Sequence, residues 1–317
     1  MHMMCLRRTA SIFAGLVLCV AGFGLAFERA AAQNAAPPSP IVAENAVKRV
    51  SEHSYVIMGF PNIGFVVGNR ATLVIDTGMG ARNGATVLRE AQKLAKNPVI
   101  YLTTTHFHPE HASGAQAFPP QIPLMRPIQQ QEEMERLDMK YVELFRSRSA
   151  LNKELLEDLK PRRADILFDP EMKLDLGGVT ARLFWWGAAH TQGDELILVE
   201  QDGTLFPGDV VQNKLVPNMP DEEASPKNWL VILNKLEPLK PRFIVPDHGQ
   251  LGDGSLIGQE RAFLAELQRR ALELKNGGAS ADDAGKQMTA ELKAKYPDWE
   301  NTGAIPNAVR RVYAEAQ

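Results

Sequence analysis

The sequence predicts an α/β protein in which two β-sheets pack between outer layers of helices. Two observations favour this fold class. Short apolar runs typical of strands precede segments with helical spacing of apolar residues near residues 47–130, and the same order returns near residues 165–275. Sheets that each carry helices on one face are expected to stack with the helices outside. Several predicted strands also end in polar residues, where loops commonly present functional groups.

The first set begins with a predicted hairpin and continues into alternating strand and helix. Residues 55–58 and 63–67 are apolar arms on either side of a Gly-Phe-Pro-Asn turn. A third strand is predicted at 72–76, a helix over 83–95 and a further strand at 99–102. The predicted order is therefore β-β-β-α-β up to a cluster of histidines.

Residues 128–160 are predicted to be mostly helical, because apolar side chains recur at three- and four-residue intervals among charged ones. The simplest interpretation is an amphipathic surface helix that packs on the core. The alternative interpretation is that this helix forms one wall of a substrate pocket.

The second set repeats the pattern with shorter strands. Strands are predicted within 166–183, at 196–199, at 204–210 and at 243–249. Helices are predicted over 229–236 and 256–275, with one or two more within 280–317.

The N-terminus is typical of a secretory signal. Arg7 and Arg8 precede an apolar run over 11–27, and small residues at 30–32 form a cleavage site. We therefore expect export across the inner membrane to the periplasm. An uncleaved anchor is the alternative, whereas a lipoprotein is disfavoured because Leu18, which is not small, precedes Cys19.

The predicted organisation has four segments along the chain. They are a signal peptide at 1–32, a flexible leader rich in Pro and Ala at 33–45, a main domain at 46–275 and a C-terminal helical extension at 276–317. After cleavage no integral membrane segment is expected. The oligomeric state is left open by the sequence.

Charge and cysteine content exclude several classes of function. The signal holds three of the 35 basic and one of the 38 acidic residues, so the remaining chain carries a net charge of about −5. This balance argues against nucleic acid as a partner and favours a small-molecule substrate. Both cysteines, Cys5 and Cys19, lie in the signal, so disulfides, thiolate ligands and a cysteine nucleophile are excluded from the mature chain.

The chemistry of the chain is concentrated in one short stretch. His106, His108, Glu110 and His111 fall within six residues directly after an apolar run, and Pro109 supports a turn there. The chain has seven histidines in all, and the two others beside Gly-rich turns are His190 and His248. Imidazoles and a carboxylate that converge at the end of a strand are typical of a metal site.

The spacing of the motifs as a set resembles the metallo-β-lactamase superfamily. The series runs in the order Asp76-Thr-Gly, His106-x-His108-x-Glu110-His111, His190-Thr-x-Gly-Asp194, Gly208-Asp209 and His248-Gly249. The resemblance covers about residues 45–270. It implies an αββα sandwich of two mixed sheets, with a metal site along one edge of the sheets.

The resemblance also implies a role for each ligand. His106, His108 and His190 would hold a first ion, and Glu110, His111 and His248 would hold a second. Asp209 would bridge both ions, which makes Glu110 and Asp209 the candidate catalytic residues. Asp76 would orient a ligand through hydrogen bonds. The implied cofactor is zinc, as two ions, while a single ion or iron is the alternative.

Glu110 departs from the pattern, since the family usually has Asp at this position. The glutamate stem is longer by one carbon–carbon bond, about 1.5 Å. The carboxylate would still bind a second ion if the loop shifts, or it would weaken that site and leave one ion.

The function implied is that of an exported metal-dependent hydrolase. A metal-bound hydroxide would attack a carbonyl of a small ester, lactone, thioester or β-lactam. Two alternatives stay open. One is an iron-dependent oxidoreductase of the same fold, and the other is a weakly active metal-binding protein.

Residues near these motifs carry weaker predictions. Asp247 is predicted to be an exposed turn residue and Lys214 an exposed charge. Asp194 is either a partner of a ligand or a residue that holds its own turn. At least one of Trp185 and Trp186 is expected in the core.

Two further groups are candidates for substrate contact. The hairpin that holds Met58, Phe60 and Pro61 is expected to fold over the metal site, as hairpins of this superfamily can. Asn213, Lys214 and Asn218 follow the bridging aspartate in sequence and are candidates to contact a substrate carboxylate, although a plain surface charge is the favoured interpretation of Lys214.

Overall fold

The computed structural model describes residues 39–220 and 222–316. The predicted signal peptide and residues 33–38 of the predicted leader lie outside these ranges. Within them, no helix combines the length and the apolar character needed to cross a membrane.

The first sheet has seven strands that follow one another in chain order. They are β1 (Val47–Arg49), β2 (Ser54–Ile57), β3 (Ile63–Val67), β4 (Thr72–Ile75), β5 (Ile100–Thr103), β6 (Leu124–Pro127) and β7 (Ile166–Phe168). Strands β1 to β4 pair antiparallel, and β4 to β7 pair parallel. The sheet is therefore mixed, and parallel strands β4 and β5 direct their carboxyl ends to the same edge.

The second sheet has five strands in the order β12-β11-β10-β9-β8. They are β8 (Glu171–Asp175), β9 (Thr180–Phe184), β10 (Leu196–Val199), β11 (Thr204–Phe206) and β12 (Phe243–Ile244). Only the β11–β12 pair is parallel. This pair sends the chain segments with Asp209 and His248 out at one end of the sheet.

Helices flank the two sheets. They are α1 (Gly80–Leu94), α2 (Pro109–Ala112), α3 (Ile128–Arg148), α4 (Ala150–Leu155), α5 (Pro226–Leu236), α6 (Ser255–Asn276), α7 (Ala281–Lys295) and α8 (Ile305–Glu315). The predicted α/β fold, with two mixed sheets flanked by helices, is confirmed.

The sheets stack through an apolar layer to which both contribute. Leu73 and Ile75 of β4 lie in one buried cluster with Leu183 of β9, Ile197 of β10 and Phe206 of β11. Every residue of β3, β4, β10 and β11 is buried, so these strands are apolar throughout rather than alternating. This layer is the rigid frame behind the site.

The C-terminal helices pack against the same chain. Trp229 of α5, Phe263 of α6, Met288 of α7 and Val309 of α8 belong to one buried cluster, together with Phe184 of β9. Residues of the predicted extension thus cover the outer face of the second sheet.

Helix α3 agrees with both interpretations of its sequence, a helix that packs on the core and a wall beside the site. Met134, Tyr141 and Phe145 are buried and pack with Phe107, which lies inside the histidine cluster. The helix therefore packs on the core and, through the same face, forms a wall beside the cluster.

Gly84 allows helix α1 to lie against the segment that follows the histidine cluster. A Cβ at this position would come within 2.0 Å of the backbone oxygen of Gly114. We expect Gly84→Ala to lower the free energy of unfolding by about 1–3 kcal/mol, since the backbone must move apart. Urea denaturation measures this change.

Gly258 of α6 is the matched control, because a Cβ there would meet nothing within 4 Å. Gly258→Ala should raise the free energy of unfolding by about 0.5–1 kcal/mol, the usual gain in a helix. Equal effects of the two substitutions would contradict the close contact at Gly84.

Candidate metal centre

Each candidate ligand follows the carboxyl end of a strand. His106, His108 and His111 follow β5, His190 follows β9, and His248 follows β12. Glu110 and His111 lie on the short helix α2, and Asp209 lies on a 3-10 turn at Gly208–Val210 after β11. The structure brings all seven predicted ligands together, and all are buried.

Three ring nitrogens converge in a first group. Nδ1 of His108 lies 3.1 Å from Nε2 of His106 and 3.2 Å from Nε2 of His190. Burial, with the neighbouring histidines next, lowers the pKa of His106 and of His108 well below the usual value. Neutral imidazoles are the form that binds metal ions.

Backbone and hydroxyl contacts fix which nitrogens face each other. Nδ1 of His190 lies 2.7 Å from the backbone oxygen of Asn218, so this nitrogen donates and leaves Nε2 with its lone pair. The hydroxyl of Thr105 lies 3.2 Å from Nδ1 of His106 and can accept from it. Asn218 thus acts on His190 through its backbone oxygen, a contact that its side-chain type does not predict.

A second group forms around His111. Single ligand atoms of Glu110, His111 and His248 lie within 4.8 Å of one another. Oε1 of Glu110 is 3.9 Å from Nε2 of His111. Nε2 of His111 and Oε2 of Glu110 are buried and have no hydrogen-bond partner among residues 39–220 and 222–316. Burial raises the pKa of Glu110 above its usual value, which reflects the cost of an isolated carboxylate there.

Asp209 lies between the two groups. Its Oδ2 is 3.4 Å from Nε2 of His190, and its Oδ1 is 3.5 Å from Nε2 of His248. Burial alone would raise its pKa, but His248, His190 and His111 outweigh burial and hold the pKa below its usual value. One carboxylate oxygen therefore faces each group.

The donor set fits divalent metal ions. Nitrogen and carboxylate oxygen are ligand types that zinc and iron both accept, and three histidines around one ion leave a position open. The unpartnered buried atoms of His111, Glu110 and Asp209 are polar groups that a bound ion would satisfy. The fold thus carries clusters of His, Asp and Glu that are able to bind metal ions.

Two carboxylates contact Nδ1 of His111, the ring nitrogen on the side away from Glu110. Nδ1 of His111 lies 2.9 Å from Oδ2 of Asp76 and 3.2 Å from Oδ2 of Asp247. Burial alone would lower the pKa of His111, but the two carboxylates raise it well above its usual value. Thr105 donates its hydroxyl to Asp247 at 2.6 Å and its backbone N–H to Asp76 at 2.8 Å.

The prediction that Asp247 is an exposed turn residue is wrong. Its side chain is 2% exposed, because it turns inward to the hydroxyl of Thr105 and to His111. Burial, with the charge of Asp247 next, raises the pKa of Asp76 to about 7. The sequence shows Asp247 beside His248 but not the direction in which its side chain points.

The other predictions for residues near the motifs have different outcomes. Asp194 is buried and accepts hydrogen bonds from Thr191 N and Ala189 N, so it holds the turn that carries His190. Lys214 is exposed and pairs with an exposed aspartate, as expected of a surface charge. Trp185 and Trp186 are both only partly buried, but Trp186 packs against the buried cluster that contains Phe184, so it lies at the edge of the core.

Helix α3 ties two separate ligand loops together, a function that its periodicity does not reveal. Gln130 donates to the backbone oxygens of Thr104 and Gly193, at 2.8 and 3.2 Å. Glu133 accepts from the backbone N–H groups of Gln192 and Gly193. The two loops carry His106 and His190, so the helix sets their spacing.

Aromatic rings line two sides of the centre. Tyr141 stacks on His108 with ring centroids 4.4 Å apart. Phe60 lies 4.5 Å from the ring of His248, so the hairpin predicted to fold over the site does reach it. Tyr141 was not a sequence candidate, since an aromatic residue at helical spacing is equally typical of a core position.

The profile of the metallo-beta-lactamase superfamily matches residues 56–248, which contain all seven candidate ligands. The chain belongs to this superfamily.

Individual relatives are distant. A linear primary-alkylsulfatase from Pseudomonas sp. (strain ATCC 19151) is 21% identical over 76% of this chain. The chain spans about half of that relative, 53% of its length.

Solved structures show the same fold at low identity. The metallo-beta-lactamase from Pontibacter korlensis aligns with a TM-score of 0.57 at 20% identity, over 69% of this chain and 98% of that chain. The sec-alkylsulfatase Pisa1 from Pseudomonas sp. aligns with a TM-score of 0.64 at 18% identity, over 85% of this chain and 50% of that one.

Asp247→Asn should weaken metal binding by the second group. The change removes one negative charge from behind His111 and keeps the size of the side chain. Loss of such a contact behind a ligand typically costs about 10–100-fold in metal affinity. Competition for zinc with a chelator of known affinity measures the change.

Asp158→Asn is the control, since Asp158 is an exposed carboxylate on the α4–β7 connection. It should leave zinc affinity unchanged. Equal affinities of wild type and Asp247→Asn would show that Asp76 alone orients His111.

Proposed function

We propose that this chain is an exported hydrolase that uses two zinc ions to cleave a small substrate. The observation that carries the proposal is Asp209, whose two oxygens face two separate groups of buried ligands. A carboxylate held in this way is suited to bridge a pair of ions. Membership of the superfamily supports hydrolysis as the general reaction.

The ligand assignment follows the two groups. His106, His108 and His190 would hold the first ion, since their nitrogens converge. Glu110 and His111 would hold the second ion together with His248. Two zinc ions would supply Lewis acidity and a water-derived nucleophile at neutral pH.

The residues of the chain prepare this chemistry before any substrate binds. Asn218 and Thr105 fix the lone pairs of His190 and His106 on the inner side of the site. Tyr141 covers the ring of His108 and limits access of bulk water. Such pre-organisation means that little rearrangement accompanies the reaction.

Glu110 is the residue on which the second ion depends. We propose that its longer side chain replaces the aspartate usual in the family, because its Oε1 already lies beside Nε2 of His111. The burial of this carboxylate among His111, His248 and Asp209 favours an ion there over an unpaired charge.

The substrate class proposed is a small ester, lactone, thioester or β-lactam. A second candidate is a sulfate ester. It is favoured by the length of the match to alkylsulfatases, which extends over 85% of this chain and so includes more than the superfamily profile. Export to the periplasm is proposed from the signal-like N-terminus.

Metal analysis of protein purified without added metal tests the proposal first. About two zinc ions per chain are expected. One iron per chain would instead support the oxidoreductase, and absence of bound metal would support the binding protein. Hydrolysis of nitrocefin, a lactone, a thioester and an alkyl sulfate by the zinc-loaded protein then separates the substrate classes.

Glu110→Asp should keep the first ion and change the second. The shorter side chain withdraws its carboxylate by about 1.5 Å, so second-site zinc affinity or the hydrolytic rate should change by roughly tenfold or more. Zinc stoichiometry and kcat/KM on the best substrate measure both effects.

Glu157→Asp is the matched control on an exposed residue outside the site. It should leave zinc content and kcat/KM unaltered. If Glu110→Asp equalled wild type in both measurements, Glu110 would have no special part in the second site.

A further inference from the structure

Arg148 is a cation without a carboxylate partner beside the candidate centre. It is the last residue of α3 and is exposed, and its guanidinium carbon lies 3.7 Å from the ring centroid of Phe145. Within the described parts of the chain it forms no ion pair. By contrast, Arg136 pairs with Glu223, and Arg146 pairs with Glu143.

The aromatic wall connects Arg148 to the first ligand group. Phe145 lies 6.4 Å from the ring of His108, and Tyr141 stacks on the same histidine. Phe145 therefore contacts the guanidinium of Arg148 and also lies beside the ring of His108.

The backbone around Arg148 is held in place. Asn152 of α4 donates its side-chain amide to the backbone oxygen of Phe145 at 3.2 Å. Arg146 donates to the backbone oxygen of Leu156 at 2.6 Å. Ser149 caps the start of α4 by accepting from Asn152 N. These contacts fix the joint between the two helices and so the starting point of the Arg148 side chain.

A purely structural explanation for Arg148 is its place at a helix C-terminus, where cations are favourable. Arg146 already provides a cation in the same turn. Arg148 instead turns its guanidinium onto an aromatic ring that faces the site. An arginine placed over a ring keeps N–H donors available for a carboxylate or sulfate group.

We propose that Arg148 binds an oxyanion of the substrate that is not part of the bond cleaved. The substrate class is then a small molecule with a carboxylate or sulfonate set apart from its reactive group. This inference rests on the proposed function, since it places the reactive group at the metal centre. An alkyl sulfate, whose only anion belongs to the bond cleaved, would not need Arg148.

Binding of simple dicarboxylates tests the inference without any turnover. The zinc-loaded protein is titrated by calorimetry with succinate, glutarate and adipate, and with the monocarboxylates butyrate, valerate and hexanoate. One carboxylate can reach the metal centre in both series, but only a dicarboxylate can also reach Arg148. The best dicarboxylate should bind about tenfold tighter than its monocarboxylate counterpart.

Variants assign this preference to Arg148. Arg148→Met should remove the advantage of the dicarboxylate and leave monocarboxylate binding and zinc content unchanged. Arg148→Lys should keep part of it, because lysine retains the charge but lacks the planar fork. Arg269→Met is the control, as Arg269 is exposed and pairs with Glu273 on α6. Comparing 4-sulfobutanoate with glutarate decides between a sulfonate and a carboxylate.

Equal binding of the two series by wild type, or an advantage that survives in Arg148→Met, would overturn the inference. A preference that depends on Arg148 supports it even if no compound of the substrate panel is hydrolysed. In that case the proposed hydrolase activity fails while the anion site stands.

Discussion

The structure depends on the burial of five histidine rings and two carboxylates at one point. His111 Nε2 and Asp209 Oδ1 are fully enclosed and have no hydrogen-bond partner in the described chain. Groups of this kind are costly unless something binds them. Their arrangement in two sets, with Asp209 between, makes metal ions the natural partner.

Contacts behind the ligands offset part of the free-energy cost of burying these polar groups. Asp76 and Asp247 balance the charge at His111, and Thr105 holds both carboxylates. Gln130 of α3 fixes the loops that carry the first group. Strands β4 and β11 are buried throughout and closely packed. They form part of a rigid frame that fixes where the ligand loops begin.

Much of the fold and of the candidate ligand set could be predicted from sequence, because strand and helix periodicity and the histidine motifs are local signals. The meeting of His190 with His108 was implied by the resemblance to a family. The sequence does not predict the direction in which a side chain points when its partner is far away in the chain. The inward turn of Asp247 and the stacking of Tyr141 on His108 depend on packing between elements far apart in sequence.

Anomalous diffraction at the zinc edge, from crystals grown with zinc, tests the central claim most directly. The account predicts two peaks on either side of Asp209. One should lie within about 2.0–2.3 Å of the three nitrogens of His106, His108 and His190, and the other equally close to Glu110, His111 and His248. A single peak, or a peak between Asp76 and Asp247, would contradict it.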